Sequence, residues 1–287
     1  MIRLCAFADE AAADLAGQIA ALRKNGIALL ELRSIAGKNV KDFTDEEAAD
    51  YAKTLKEAGI AVWSVGSPLG KVDIGVDFTE YEKTVRRVFH LANVFGARYI
   101  RVFSFYHAYE QPKRVFDGMR RMVRLSDEYG VKLCHENEKE IFGDTLDRVC
   151  RLLDAVPGLG CVYDPANFLQ VGERANDTLP RLSPRADYFH IKDVIAATDE
   201  LVPAGYGNGQ IGRLIDGITG DKVLTLEPHL AVFAGYAAID NSPMKNRFRF
   251  ESNAAAFDAA VTALKTLLND AGYRPETKGE ETVWKRD

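Results

Sequence analysis

The chain has few of the residues that most often reveal a chemistry. Its 287 residues include only four cysteines and five histidines. Cys5, Cys134, Cys150 and Cys161 form no C-x-x-C pair, so neither a thiolate metal site nor a dithiol redox motif is supported. Cys5, Cys134 and Cys161 lie in apolar, strand-like runs and read as small buried hydrophobes in a reducing cytosol. No apolar run approaches the roughly 20 residues of a membrane span. The opening M-I-R-L-C-A-F-A-D-E meets acid too early for a signal peptide, so a cytoplasmic protein without a membrane partner is expected. Basic residues are not in excess. The formal charge of −5 argues against a nucleic-acid partner, because phosphate backbones are bound through clustered Lys and Arg. No P-loop is present, and Gly205-Tyr-Gly-Asn-Gly209 is too generic to count as a phosphate cradle. A homo-oligomer is compatible with the sequence.

What the chain does have is a regular alternation. Short apolar runs predict strands at Ile2 to Phe7, Ile27 to Arg33, Ile60 to Val65, Ala97 to Phe103, Val131 to Glu138, Gly160 to Asp164, Tyr188 to Ile191 and Val223 to Glu227. Helical spacing predicts helices between them: Asp9 to Asn25, Thr44 to Gly59, Phe78 to Phe95, Gln111 to Tyr129 and Thr145 to Val156. A short one follows near Leu179 to Leu182, then Ile211 to Ile218, and Ala254 to Asn269 after the last strand. Thr44-Asp-Glu-Glu47 is a capping box, and glycines stop several of the helices. Eight β-loop-α units of this length imply a parallel sheet covered by helices and closed into a single-domain (β/α)8 TIM barrel. Residues 1–272 are assigned to the barrel domain and 273–287 to a charged, solvated tail. Pro228 to Arg249 reads as irregular.

Barrel enzymes carry their chemistry at the C-terminal ends of the strands. Four strands here end in polar residues: Glu136 on the fifth, Asp164 on the sixth, His190 on the seventh and Glu227 on the eighth. A carboxylate at such a position needs a cation or a donor. Three carboxylates and one imidazole suit one divalent ion of the Mn, Mg, Co or Zn type, with Mn favoured. Glu138 lies on the same side of its strand as Glu136 and is a weaker candidate. Lys192 sits two residues from His190 and faces the same way, where it is expected to bind substrate. Arg101 lies inside a strand and must meet a carboxylate, orienting a ligand or binding substrate. Arg33 and Glu31 carry a similar but weaker claim. His107 and His229, in loops at the active face, are substrate-binding candidates. His135 and His90 read as structural. Phe7, Trp63, Phe103 and Phe168 are candidate pocket walls.

The order of motifs is specific. E-N at Glu136, Y-D-P-x-N at Tyr163 to Asn167, H-x-K-D at His190 to Asp193 and L-E-P at Leu226 to Pro228 together resemble the xylose-isomerase-like TIM-barrel superfamily. That group contains sugar and sugar-phosphate isomerases and epimerases as well as apurinic-site endonucleases. The resemblance implies that Glu136, Asp164, His190 and Glu227 bind one divalent metal ion. It also implies that Glu136 and Glu227 are paired acid/base catalysts, moving a proton next to a carbonyl through a metal-stabilised enediolate. A small-molecule sugar, sugar phosphate or polyol is the expected partner. A metal-dependent dehydratase of a keto-polyol or dehydroshikimate type is the alternative. The endonucleases use a His where this chain has Asn167, and they need more His ligands than five histidines supply. Asn167 is instead expected to bind a sugar hydroxyl.

Overall fold

Eight strands alternate with helices and close on themselves in the structure, a computed structural model that describes residues 1–233, 236, 244–278 and 281–286. The barrel strands are β1 (Ile2–Ala6), β2 (Leu29–Leu32), β3 (Ala61–Gly66), β4 (Tyr99–Val102), β5 (Lys132–Glu136), β6 (Gly160–Tyr163), β7 (Tyr188–Ile191) and β8 (Lys222–Leu226). Each pairs in parallel with the next, and β8 returns to β1 over the full run Ile2↔Lys222 to Ala6↔Leu226. Their residues are mostly Val, Ile, Leu and aromatics, buried on both faces as a helix-covered parallel sheet demands. The fold is the expected single-domain TIM barrel. No helix among the described residues is long and apolar enough to cross a membrane.

Helix α1 (Leu15–Lys24) starts at Leu15, not at Asp9. Asp14 caps it by accepting from the Gly17 N–H, which leaves Ala8 to Glu10 as a single 3₁₀ turn at the end of β1. The sequence places two adjacent acids ahead of an Ala-rich run, and that pattern looks like a first helical turn. The turn instead leaves Asp9 and Glu10 at the barrel mouth. Helix α2 (Asp45–Glu57) has both bonds of the expected capping box. Helices α3 (Phe78–Val94), α4 (Pro112–Tyr129) and α5 (Leu146–Ala155) follow, then α6 (Pro165–Gln170), α7 (Ala175–Leu182), α8 (Ile211–Asp216) and α9 (Asn253–Asp270). The expected irregular stretch 228–249 includes residues 234–235 and 237–243, which lie outside the described residues.

The tail from Arg274 is solvated only in part: Arg274 to Thr277 are exposed as expected, but Val283 and Trp284 are buried. Arg274–Lys278 (β9) and Glu281–Lys285 (β10) form an antiparallel hairpin, and β10 pairs with β1 at Ile2↔Trp284 and Arg3↔Val283. The reason lies in the stagger of the barrel. β2 meets β1 only at Cys5 and Ala6, so the start of β1 has an open edge on that side. β10 fills it, and Trp284 is only 3% exposed. An edge strand left bare would be a template for aggregation.

The glycine-rich loop 205–209 also has an internal purpose. The Asp193 carboxylate accepts from the N–H groups of Gly205, Gly207 and Gly209. A Cβ at Gly207 would stand 2.3 Å from Asp193 Oδ1, so only glycine lets the backbone wrap this closely. The loop's donors are therefore spent on the protein's own anion.

Candidate active site

The two-residue period of the strands turns an apolar layer into a polar one. Cys5, Leu29, Cys134, Val162, Tyr188 and Val223 pack together within the barrel. Two residues further along β5, β6 and β7 come Glu136, Asp164 and His190, and further still Lys192 and Glu227. The inward side of the sheet thus turns from apolar to charged toward its C-terminal end.

There the four strand ends converge. One ligand-type atom from each of Glu136, Asp164, His190 and Glu227 lies within 4.8 Å of the others, and all four side chains are buried. His190 Nδ1 stands 2.9 Å from Glu136 Oε1 and 3.1 Å from Glu227 Oε2. Each glutamate is held by its other oxygen. The Arg101 Nη1 donates to Glu136 Oε2 at 2.6 Å, and the Arg33 Nη1 donates to Glu227 Oε1 at 3.0 Å. Asp164 caps α6: its Oδ1 accepts from the Ala166 and Asn167 N–H groups, while Oδ2 faces Lys192 Nζ at 3.0 Å. Asp164 Oδ2 and Glu227 Oε2 are buried and accept no well-formed hydrogen bond.

These residues fit a divalent ion. Three carboxylates and an imidazole suit a hard or borderline cation. Buried oxygens without donors are rare unless something else satisfies them. His190 has a further carboxylate, Glu31 Oε2, at 3.2 Å from Nε2, and Glu31 Oε1 accepts from the Tyr188 hydroxyl. A carboxylate on the far nitrogen fixes the tautomer that presents a lone pair at Nδ1. A β-bulge in the pairing of β2 with β3, between Leu30 and Glu31, falls at this position. Glu31→Ala is therefore expected to weaken ion binding about 10- to 100-fold, which titration calorimetry would measure. An affinity equal to the parent's would leave Glu31 no part in holding His190.

The electrostatics follow from burial and neighbours. Burial alone would raise Glu136, but His190 and Arg101 outweigh it and hold the carboxyl at about 2. Burial also opposes ionisation of Glu227, and Lys192 and His190 pull it well below the usual range. Asp164 goes the other way: burial pushes it up to about 7, against the pull of Lys192. Burial likewise raises Glu10 to about 8. His190 is raised well above the usual imidazole value, because Glu136, Glu31 and Glu227 overcome the burial penalty. Raised carboxyls bind protons on folding, so their contribution is full below the unfolded value and is lost as pH rises through the folded one. The melting temperature of the metal-free protein should then fall between about pH 4 and pH 8, the span from the ordinary carboxylate value to that of Glu10. Ion binding must displace the protons on Asp164 and His190, so ion affinity should climb as pH rises. Calorimetric melting with and without saturating ion checks both; a metal-free curve that rises with pH would contradict the assignment.

The other sequence candidates divide. Arg101 and Lys192 are at the centre, Lys192 only 5% exposed and also 4.0 Å from Glu227. The Asn167 amide is spent on Glu136 Oε1 and the Asn137 carbonyl, which places it as a support beneath the ligand set. The imidazole of His229 lies 3.4 Å from Glu10 and 3.6 Å from Glu227. His107 is not brought in: its side chain is 82% exposed and is bonded to Asp73. Glu138 pairs with Lys71 at 3.2 Å and stays outside the quartet. Phe7 lies against the site, its ring under the Arg33 guanidinium and edge-on to His190. Phe103 stacks on Arg101, whereas Trp63 belongs to the apolar layer and Phe168 packs on Tyr163. His135 is buried and bonded to Ser104, away from the site, as expected.

Two residues escaped the sequence reading. Asp9 takes two hydrogen bonds from Arg33, through Nε and Nη2 at 2.9 Å each, and Glu10 accepts from Nη2 at 3.4 Å. The available signal was a pair of acids directly after an apolar strand. Arg33 is thus a hub joining Asp9, Glu10 and Glu227.

The sequence profile of the family described as xylose isomerase-like TIM barrel matches residues 19–229. Among curated proteins, none matches by sequence. Solved structures match in fold. A probable 3-DHS dehydratase, AsbF, involved in petrobactin synthesis in Bacillus anthracis, shares 18% identity at a TM-score of 0.68, covering 93% of this chain and 98% of its own. A D-psicose 3-epimerase in the presence of D-fructose shares 16% at 0.70, covering 92% and 97%. The IOLI protein, with a bound zinc atom, shares 14% at 0.72, covering 94% and 99%.

Proposed function

The chain belongs to the xylose isomerase-like TIM barrel family, and from that premise we propose that it is a divalent-metal-dependent enzyme that isomerises or epimerises a sugar by proton transfer. One observation carries this reading: two glutamates, each clamped through one oxygen by its own arginine, present their other oxygens to the same buried point beside His190. Glu136, Asp164, His190 and Glu227 would hold the ion. When bound, it polarises a substrate carbonyl and neutralises charge developing on the oxygen. The protein's part is acid/base work and positioning. One glutamate removes the proton from the carbon next to the carbonyl, and the other returns one. Arg101 and Arg33 keep both glutamates ionised and fixed, so neither reorients during the transfer. Lys192 keeps its charge because Asp164 and Glu227 outweigh its burial, and it is placed to donate to a substrate oxygen as negative charge builds there.

The test joins elemental analysis to isotope exchange. We expect close to one divalent ion per chain after reloading, and deuterium from heavy water at the carbon that reacts. Two or three ions per chain would favour a nuclease. A product lighter by one water would identify a dehydratase. Product without solvent deuterium would indicate a hydride shift between the carbons.

A further inference from the structure

The charge of the substrate is written in the side chains around this site. Six buried carboxylates stand there: Asp9, Glu10, Glu31, Glu136, Asp164 and Glu227. Three permanent cations accompany them: Arg33, Arg101 and Lys192. With one divalent ion and a neutral, ligating His190, one unit of negative charge is left over. These fixed charges do not make the site positive.

Each cation is also already engaged. Arg33 is divided among Asp9, Glu10 and Glu227, and Arg101 is committed to Glu136. Lys192 lies between Asp164 and Glu227. On the surrounding loops Lys71 is paired with Glu138, Arg148 with Asp144, and Arg247 with Glu200. The backbone donors that might cradle a phosphate, in the loop 205–209, bind Asp193. Residues 234–243 hold no Lys, Arg or His to add. Lys192 can still donate to a neutral oxygen, but its charge is balanced by Asp164 and Glu227, so no uncompensated cation is left for a phosphate or carboxylate brought into the buried site.

We infer that the site takes a neutral polyhydroxy carbonyl compound, an unphosphorylated sugar, and rejects sugar phosphates and hydroxy acids. The inference rests on the sugar isomerase or epimerase reading above. Hydroxyls suit these surroundings, since each can donate to a carboxylate and accept from Lys192.

Titration calorimetry on the metal-loaded protein tests it, with free ketopentoses and ketohexoses, their phosphates, and the cyclohexene hydroxy acid shikimate. At least one free ketose should bind, unaffected by ionic strength, and its phosphate and the acid should bind at least about 10-fold more weakly. A phosphate that binds more tightly than its parent sugar would overturn the inference, as would tighter binding of the acid than of any free ketose. Failure of every free ketose to bind would overturn it too. If free ketoses bind preferentially but exchange no solvent deuterium, the substrate class stands and the proton-transfer reaction falls.

Discussion

Glu136→Gln and Glu227→Gln are each expected to slow ketose turnover by about 100- to 10,000-fold at saturating divalent ion, the usual contribution of a general acid or base. Glutamine keeps the shape and a carbonyl oxygen that still accepts from Arg101 or Arg33, but it has no basic oxygen to turn toward the substrate. Loss of a charged ligand also weakens ion binding, so the comparison belongs at ion concentrations that calorimetry shows to be saturating for each variant. The loss should fall on kcat more than on KM, because proton transfer and not substrate docking is removed. If either variant, with its ion bound, turns over as fast as the parent, that glutamate has no place in the proton transfer. Solvent-deuterium exchange at the reacting carbon should fall in step.

The second large effect concerns stability. Arg33→Met should destabilise the fold by about 3–5 kcal/mol, the range for breaking a buried ion pair from one side. The guanidinium sits between Asp9, Glu10 and Glu227, all buried, with the Phe7 ring 4.4 Å and the Phe233 ring 4.7 Å from its centre. Methionine fills the space but leaves three carboxylates facing one another. Urea unfolding measures the loss. A cycle with Asp9→Asn should recover part of it, because the two residues share one network. A loss below about 1 kcal/mol would mean that water or protonation compensates the acids and that Arg33 is no hub.

The barrel was legible because strand ends and helix caps obey local rules. Glu136, Asp164, His190 and Glu227 each close an apolar run, and the fold has one place for such residues. Lys192 followed from the two-residue period. What escaped was whatever depends on partners far away in the chain. Asp9 and Glu10 look like a helix start, and only Arg33, 24 and 23 residues on, shows otherwise. Gly205 to Gly209 looks like any flexible loop until Asp193 is seen within it. The hairpin after Tyr273 alternates charge with a few apolar residues, and its reason to exist is the bare start of β1, which composition cannot show. His107 stands exposed and bonded to Asp73, because a loop's place in the order of the chain says little about which way its side chain turns.

That hairpin has a consequence for how the protein is made. β1 is synthesised long before the strand that covers its open edge, Glu281–Lys285, because nearly the whole barrel lies between them in the chain. At roughly 5–20 residues per second, the start of β1 waits on the order of ten seconds to a minute for its neighbour. β8, its other partner, also arrives late, so neither side of β1 near Ile2 is protected early in synthesis. Contacts this distant in sequence form slowly. Shortening the chain by the last strand would therefore harm yield before it harmed the finished barrel's chemistry, which sits at the opposite end of the sheet.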